Sequence, residues 1–168
     1  MSSSTLQYYI ELLTHLRTSN SGGFKAPHKA VLMLTVTEIV RDGLIGSPVV
    51  PNNDLLKRYF VKNWHKYIQI QTSFVGDVNM PVTHIGSEKF IVRNDHTHFE
   101  IDRDLFFLMQ DPEDSATIIA SLIATYLAPF GYQHKINFND LNPYRDKTLR
   151  DYQSEGKAKI YQMWTQMR

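Results

Sequence analysis

Lys25, His28 and Lys29 gather around Pro27, directly ahead of the apolar run that begins at Ala30. Residues of these types at a helix start can hold an anion. Gly22 and Gly23 allow the backbone to turn before the cluster, and Pro27 suits a first helical turn, where its missing N–H costs nothing. The N–H groups of a first turn have no carbonyl one turn earlier to bond, so they and the helix dipole attract negative charge. Lys25, His28 and Lys29 add cations and donors at that end, the arrangement by which proteins hold phosphates. A surface helix start with ordinary charges would show the same residues, and spacing alone leaves the two readings level.

A second basic feature lies further on. Leu56, Phe60, Trp64 and Tyr67 fall within one arc of a helix, while Lys57, Arg58, Lys62, His65 and Lys66 spread over the opposite half. Asp54 alone is there to neutralise that face. Lys57, Arg58 and Lys62 are therefore candidates for long-range attraction of phosphates, the alternative being a plain solvated face. The charge is segregated along the whole chain. Arg17 to Arg93 holds ten Lys and Arg against five acids, and Asn94 to Ala128 holds one Arg against seven acids, within a total net charge of +1. Such segregation can give a nearly neutral protein one basic face, which suits a polyanionic partner.

Catalytic signatures are missing. The acids Glu100, Asp102, Asp104, Asp111, Glu113 and Asp114 are better explained by two helix N-termini than by a metal site. His96 and His98 share one side of an extended chain but fall in a hairpin turn without further ligands. No nucleophile elbow, phosphate loop or dinucleotide glycine pattern occurs, and zero cysteines exclude disulfides and thiolate metal ligands. No catalytic residue, metal or cofactor is expected from these residues. A metal-dependent nuclease with an unrecognised site and a protein-interaction domain remain as alternatives.

The elements that must position these residues can be outlined. With 168 residues and 42% apolar content, the chain fits one globular domain. No apolar run reaches the roughly 18 residues of a membrane span. Residues Met1 to Thr5 lack the regions of a secretion signal, so a cytoplasmic location is expected. Helices are predicted over about 5–18, 27–41 and 53–70, with the second, apolar around most of its circumference, at the centre and only its N-terminus exposed. It stops at Asp42-Gly43. Pro48 to Pro51 reads as an extended link and 69–78 as irregular. Met80 to Ile85, Lys89 to Arg93 and Phe99 to Ile101 alternate like short strands, with a hairpin turn over 94–97. Asp102 caps a short helix to Met109, a further helix starts at Glu113 or Asp114 and runs to Leu127, 129–144 is a connector, and a final helical segment covers about 149–164. The expected class is α+β, a helical domain with a small antiparallel sheet.

Two stretches taken together resemble a known family. Pro27, His28, Lys29 and Val31 to Leu34, followed by Met80, Pro81, Val82, His84, Ile85, Glu88 and Phe90, are similar to the N-terminal recognition domain of HNH-type restriction endonucleases. That family includes the sulfur-binding domain of McrA-like enzymes, which attack phosphorothioate-modified DNA. The likeness covers about residues 5–128, leaving 129–168 as an extension. Ala30 stands where the family usually has Pro, Met80 where it has Tyr, and Val82 where it has an aromatic residue. The HNH nuclease half is not among these residues.

The resemblance implies a single DNA-recognition domain over 1–168 that binds double-stranded DNA, senses a phosphorothioate, and serves a prokaryotic restriction system without itself cutting. The cutting would fall to an attached or separate nuclease domain. By the same resemblance, Met80, Pro81, Val82 and His84 form the pocket for the modified phosphate, Lys29 and His28 hold its charge with help from Lys25, and Lys57, Arg58 and Lys62 track neighbouring phosphates. Sulfur is larger, softer and less hydrated than oxygen, so an apolar hollow can prefer it while cations hold the remaining charge.

Overall fold

A computed structural model describes residues 3–131, which lie in the first of two units, Met1–Tyr132 and Gln133–Arg168. The predicted final helix and most of the predicted connector fall outside the described residues. Among the described residues, six α-helices and two small antiparallel sheets make an α+β fold. No described helix is long and apolar enough to cross a membrane.

The organising element is α2 (His28–Arg41), buried at every position from His28 to Val40 except Glu38. Its apolar residues surround the axis, so other helices pack around it: α3 (Asp54–Tyr67), α5 (Arg103–Gln110) and α6 (Pro112–Leu122) all meet it. Fully burying each Leu, Ile, Val or Met side chain contributes about 1.5–3 kcal/mol, which sets the position of this helix at the centre. Asp42 caps its C-terminus and Gly43 follows at φ 75°, as the Asp-Gly pair predicts. The exposure is the reverse of the expectation. The C-terminal Arg41 is exposed, whereas His28 and Lys29 at the N-terminus are buried by the loops and short helix folded over that end.

Helix α1 (Ser3–Leu13) is shorter than its periodicity suggests. Tyr126 explains the stop, since its hydroxyl donates to the Leu13 carbonyl and accepts from the Leu16 N–H, both at 2.8 Å. The joint after it contains a hairpin of β1 (Asn20–Ser21) and β2 (Phe24–Lys25), turned by Gly22 and Gly23 at φ 61° and 84°. Asn53 caps α3 by accepting from the Leu56 N–H at 3.1 Å. That helix ends at Tyr67 rather than Ile70, because Gln69 and Ile70 turn their N–H groups to the Phe130 carbonyl.

The predicted strand over Met80 to Ile85 is instead a helix, α4 (Asn79–His84), continued by a 3-10 turn at Ile85–Ser87. The buried set Val78, Pro81, Val82 and Ile85 has helical spacing, and Pro81 falls in the first turn, where no N–H partner is needed. His84 therefore sits at a helix end and not in a strand. The third strand comes from Val49–Pro51, β3, which had read as a link. It lies in the order β3-β5-β4 with β4 (Ile91–Asn94) and β5 (His98–Ile101). Val50 and Asn94 both pair with Phe99, and the register shifts between Ile91 and Arg93. Phe99 and Ile101 point into the core. Asp111 caps α6 by accepting from the Asp114 N–H at 2.9 Å, with Pro112 as the first helical residue. The helix then loosens into a π turn over Ile123–Leu127, short of a regular helix to Leu127.

Candidate anion-binding site

The buried N-terminus of α2 forms part of a cavity of about 520 Å³. Four segments line it. Arg17, Thr18 and Ser19 come from the loop after α1, Ala26, His28 and Lys29 from the entry to α2, Phe74 from the irregular 69–78 segment, and Met80, Pro81, His84 and Ser87 from α4 and its 3-10 turn. Two sequence stretches some fifty residues apart thus meet around one space. Ala26, Phe74, Met80 and Pro81 supply apolar lining, and the remaining lining residues supply polar and basic groups.

His28 is held from three sides. Its ring lies 4.8 Å from Trp64 and 5.7 Å from Phe74, centroid to centroid, the Phe74 contact being edge-on. Its Nε2 lies 2.8 Å from the Val75 carbonyl oxygen. A carbonyl can only accept, so Nε2 carries the proton, and in the neutral ring Nδ1 is the acceptor. Burial lowers the pKa of His28 below its ordinary value, against smaller opposing effects of the Val75 hydrogen bond and the charge of Asp77. The imidazole is neutral near pH 7 and adds no formal charge to the cavity.

Lys29 is tied differently from the free phosphate contact expected of it. Its Nζ donates to Glu88 Oε2 at 2.6 Å and to Ser87 Oγ at 3.1 Å, and both charged side chains are nearly fully buried. The same Glu88 oxygen accepts the backbone N–H of Arg17 at 2.9 Å. This carboxylate therefore fixes the two segments that carry the cavity's cations. The Arg17 side chain itself has no ion-pair partner among the described residues.

The short helix α4 is pinned in place from below. Asn94 donates from Nδ2 to the Val82 carbonyl at 3.1 Å, and its side chain fills the space against Gly86, where a Cβ would meet Asn94 Oδ1 at 2.1 Å. Val82 itself is 1% exposed and packs into the core, so it supports Met80 and Pro81 without lining the cavity. The irregular segment is fitted as closely, since a Cβ on Gly76 would lie 2.7 Å from the Trp64 ring.

Of the residues singled out by sequence, His28, Lys29, Met80, Pro81 and His84 come together in the cavity. Lys25 is exposed on β2, one residue before the lining Ala26, and Lys57, Arg58 and Lys62 are exposed on α3. Lys62 lies over the Tyr59 ring at 4.8 Å. None of those four lines the cavity. Arg17, Ser19, Phe74 and Ser87 were not expected there, and no pattern in the sequence marks them. Glu88 had a signal: a lysine embedded in an apolar helix demands a buried counter-charge, and Asp77 and Glu88 are the only acids from Leu55 to Asn94. No family model matches the chain, and no curated protein does.

Proposed function

We propose that this chain is a double-stranded DNA-binding domain whose cavity receives one backbone phosphate, with a phosphorothioate preferred, as the cytoplasmic recognition module of a prokaryotic restriction endonuclease. The observation that carries the reading is the convergence of His28 and Lys29 with Met80, Pro81 and His84 around a single cavity whose lining holds both apolar and basic side chains. That mixture suits a thiophosphate. The exposed Met80 and the Pro81 ring offer a soft, poorly hydrated surface for sulfur, while Arg17 stands ready for the anionic oxygen. Lys57, Arg58 and Lys62 are free to follow neighbouring phosphates, contacts that position a protein without reading sequence. Cutting would belong to a nuclease domain, attached or separate.

A gel-shift series on plain, phosphorothioated and base-methylated duplexes at two salt concentrations tests this. Tighter binding of the phosphorothioated duplex, weakened by added salt, is the expected outcome. Equal weak binding of all three would remove the sulfur preference, and a partner bound with no salt dependence would favour a protein-interaction domain.

A further inference from the structure

We propose that Glu88 fixes the charge class of the anion that the cavity accepts: a singly charged phosphate or thiophosphate diester, and not a doubly charged monoester or free phosphate. This rests on the reading of the cavity as an anion site. Glu88 does not line the cavity but stands behind Lys29, its Oε2 at 2.6 Å from Nζ and buried with it. At that distance the positive charge of Lys29 is compensated before any ligand arrives. His28 is held neutral by burial, and Asp77 adds negative potential on its side. The guanidinium of Arg17 remains as the uncompensated permanent cation among the described lining residues.

One uncompensated permanent cation in the lining, Arg17, matches one negative charge on the ligand. A dianion would bring its second charge into the field of the Glu88 carboxylate with no cation left to answer it, and would lose a larger hydration shell on entry. A diester carries a single charge whether the non-bridging atom is oxygen or sulfur, while a monoester carries nearly two above its second pKa of about 6. Glu88 therefore favours linkages inside a nucleic-acid backbone over phosphorylated ends. Neutralising Glu88 would release the charge of Lys29 and widen the accepted class.

The test is an NMR titration of the isotope-labelled full chain with dimethyl thiophosphate, dimethyl phosphate and methyl phosphate above neutral pH, for wild type and Glu88→Gln. The two monoanions are expected to perturb the cavity resonances at lower concentration than methyl phosphate does, and Glu88→Gln is expected to shift that ratio roughly tenfold toward the dianion. Methyl phosphate binding as well as the monoanions in the wild type, no cavity perturbation by any of the three, or an unchanged ratio in Glu88→Gln would overturn the assignment. The wild-type ratio decides the matter even where Glu88→Gln does not fold. In the same tube, a phosphorothioate duplex that fails to bind while the monoanions do would sink the DNA reading and leave the role of Glu88 standing. A duplex that binds while methyl phosphate outcompetes the monoanions would sink the role of Glu88 alone.

Discussion

Replacing Lys29 by Met removes one half of an ion pair whose side chains are 8% and 6% exposed and whose atoms lie 2.6 Å apart. Glu88 would keep the Arg17 N–H but lose its counter-charge, leaving a carboxylate in a nearly dry site. Breaking such a pair costs about 3–5 kcal/mol, a large part of the roughly 5–15 kcal/mol that holds a domain of this size. Replacing both residues, as in Lys29→Met with Glu88→Met, removes the orphaned charge, and such double replacements are often neutral or stabilising by about 1–4 kcal/mol. The four proteins form a double-mutant cycle, to be followed by circular dichroism in urea at neutral pH. The double variant is expected to be more stable than either single one, with a coupling of at least about 2 kcal/mol. Single losses each below about 1 kcal/mol that simply add would refute the buried pair as the clasp of the site.

Other consequences are local. Tyr126→Phe removes the hydroxyl that serves both the Leu13 carbonyl and the Leu16 N–H, and should cost about 1–3 kcal/mol in urea unfolding. Gly86→Ala drives a methyl into Asn94 and should cost about 1–3 kcal/mol, with part of the loss recovered on adding Asn94→Ala. Because the folded pKa of His28 lies below that of the unfolded chain, the unfolded state takes up the proton first. The contribution of His28 to stability is therefore intact above about pH 6.5 and lost as pH falls toward its lowered folded pKa. Unfolding curves between neutral and mildly acid pH should show that loss in the wild type and a smaller one in His28→Gln.

Much of the scaffold was legible because it follows from periodicity and caps. The all-round apolar pattern of Val31 to Val40 marks the central helix, Asp42-Gly43 its end, and Asn53 the start of α3. What was illegible depended on partners distant in sequence. Met80 to Ile85 is short enough that alternating and helical apolar spacing look alike, and its contacts with the core and with Asn94 decide for helix. The isolated Val49–Pro51 shows as a strand only because β5 is there to pair with it. At the site, residue types showed that His28 and Lys29 favour an anion. They did not show that burial would neutralise the first or that Glu88 would bind the second, because both are products of tertiary packing.

The most direct test of the cavity's role is the 13C-methyl NMR signal of Met80, which stands 45% exposed at the cavity. Two duplexes of one sequence, identical except for a single phosphorothioate, would be titrated to saturation against the methyl-labelled chain. The sulfur-bearing duplex is expected to shift the Met80 methyl strongly and its oxygen twin to shift it little. Saturable binding of both duplexes with the Met80 signal unmoved would contradict the assignment of this cavity to the modified phosphate.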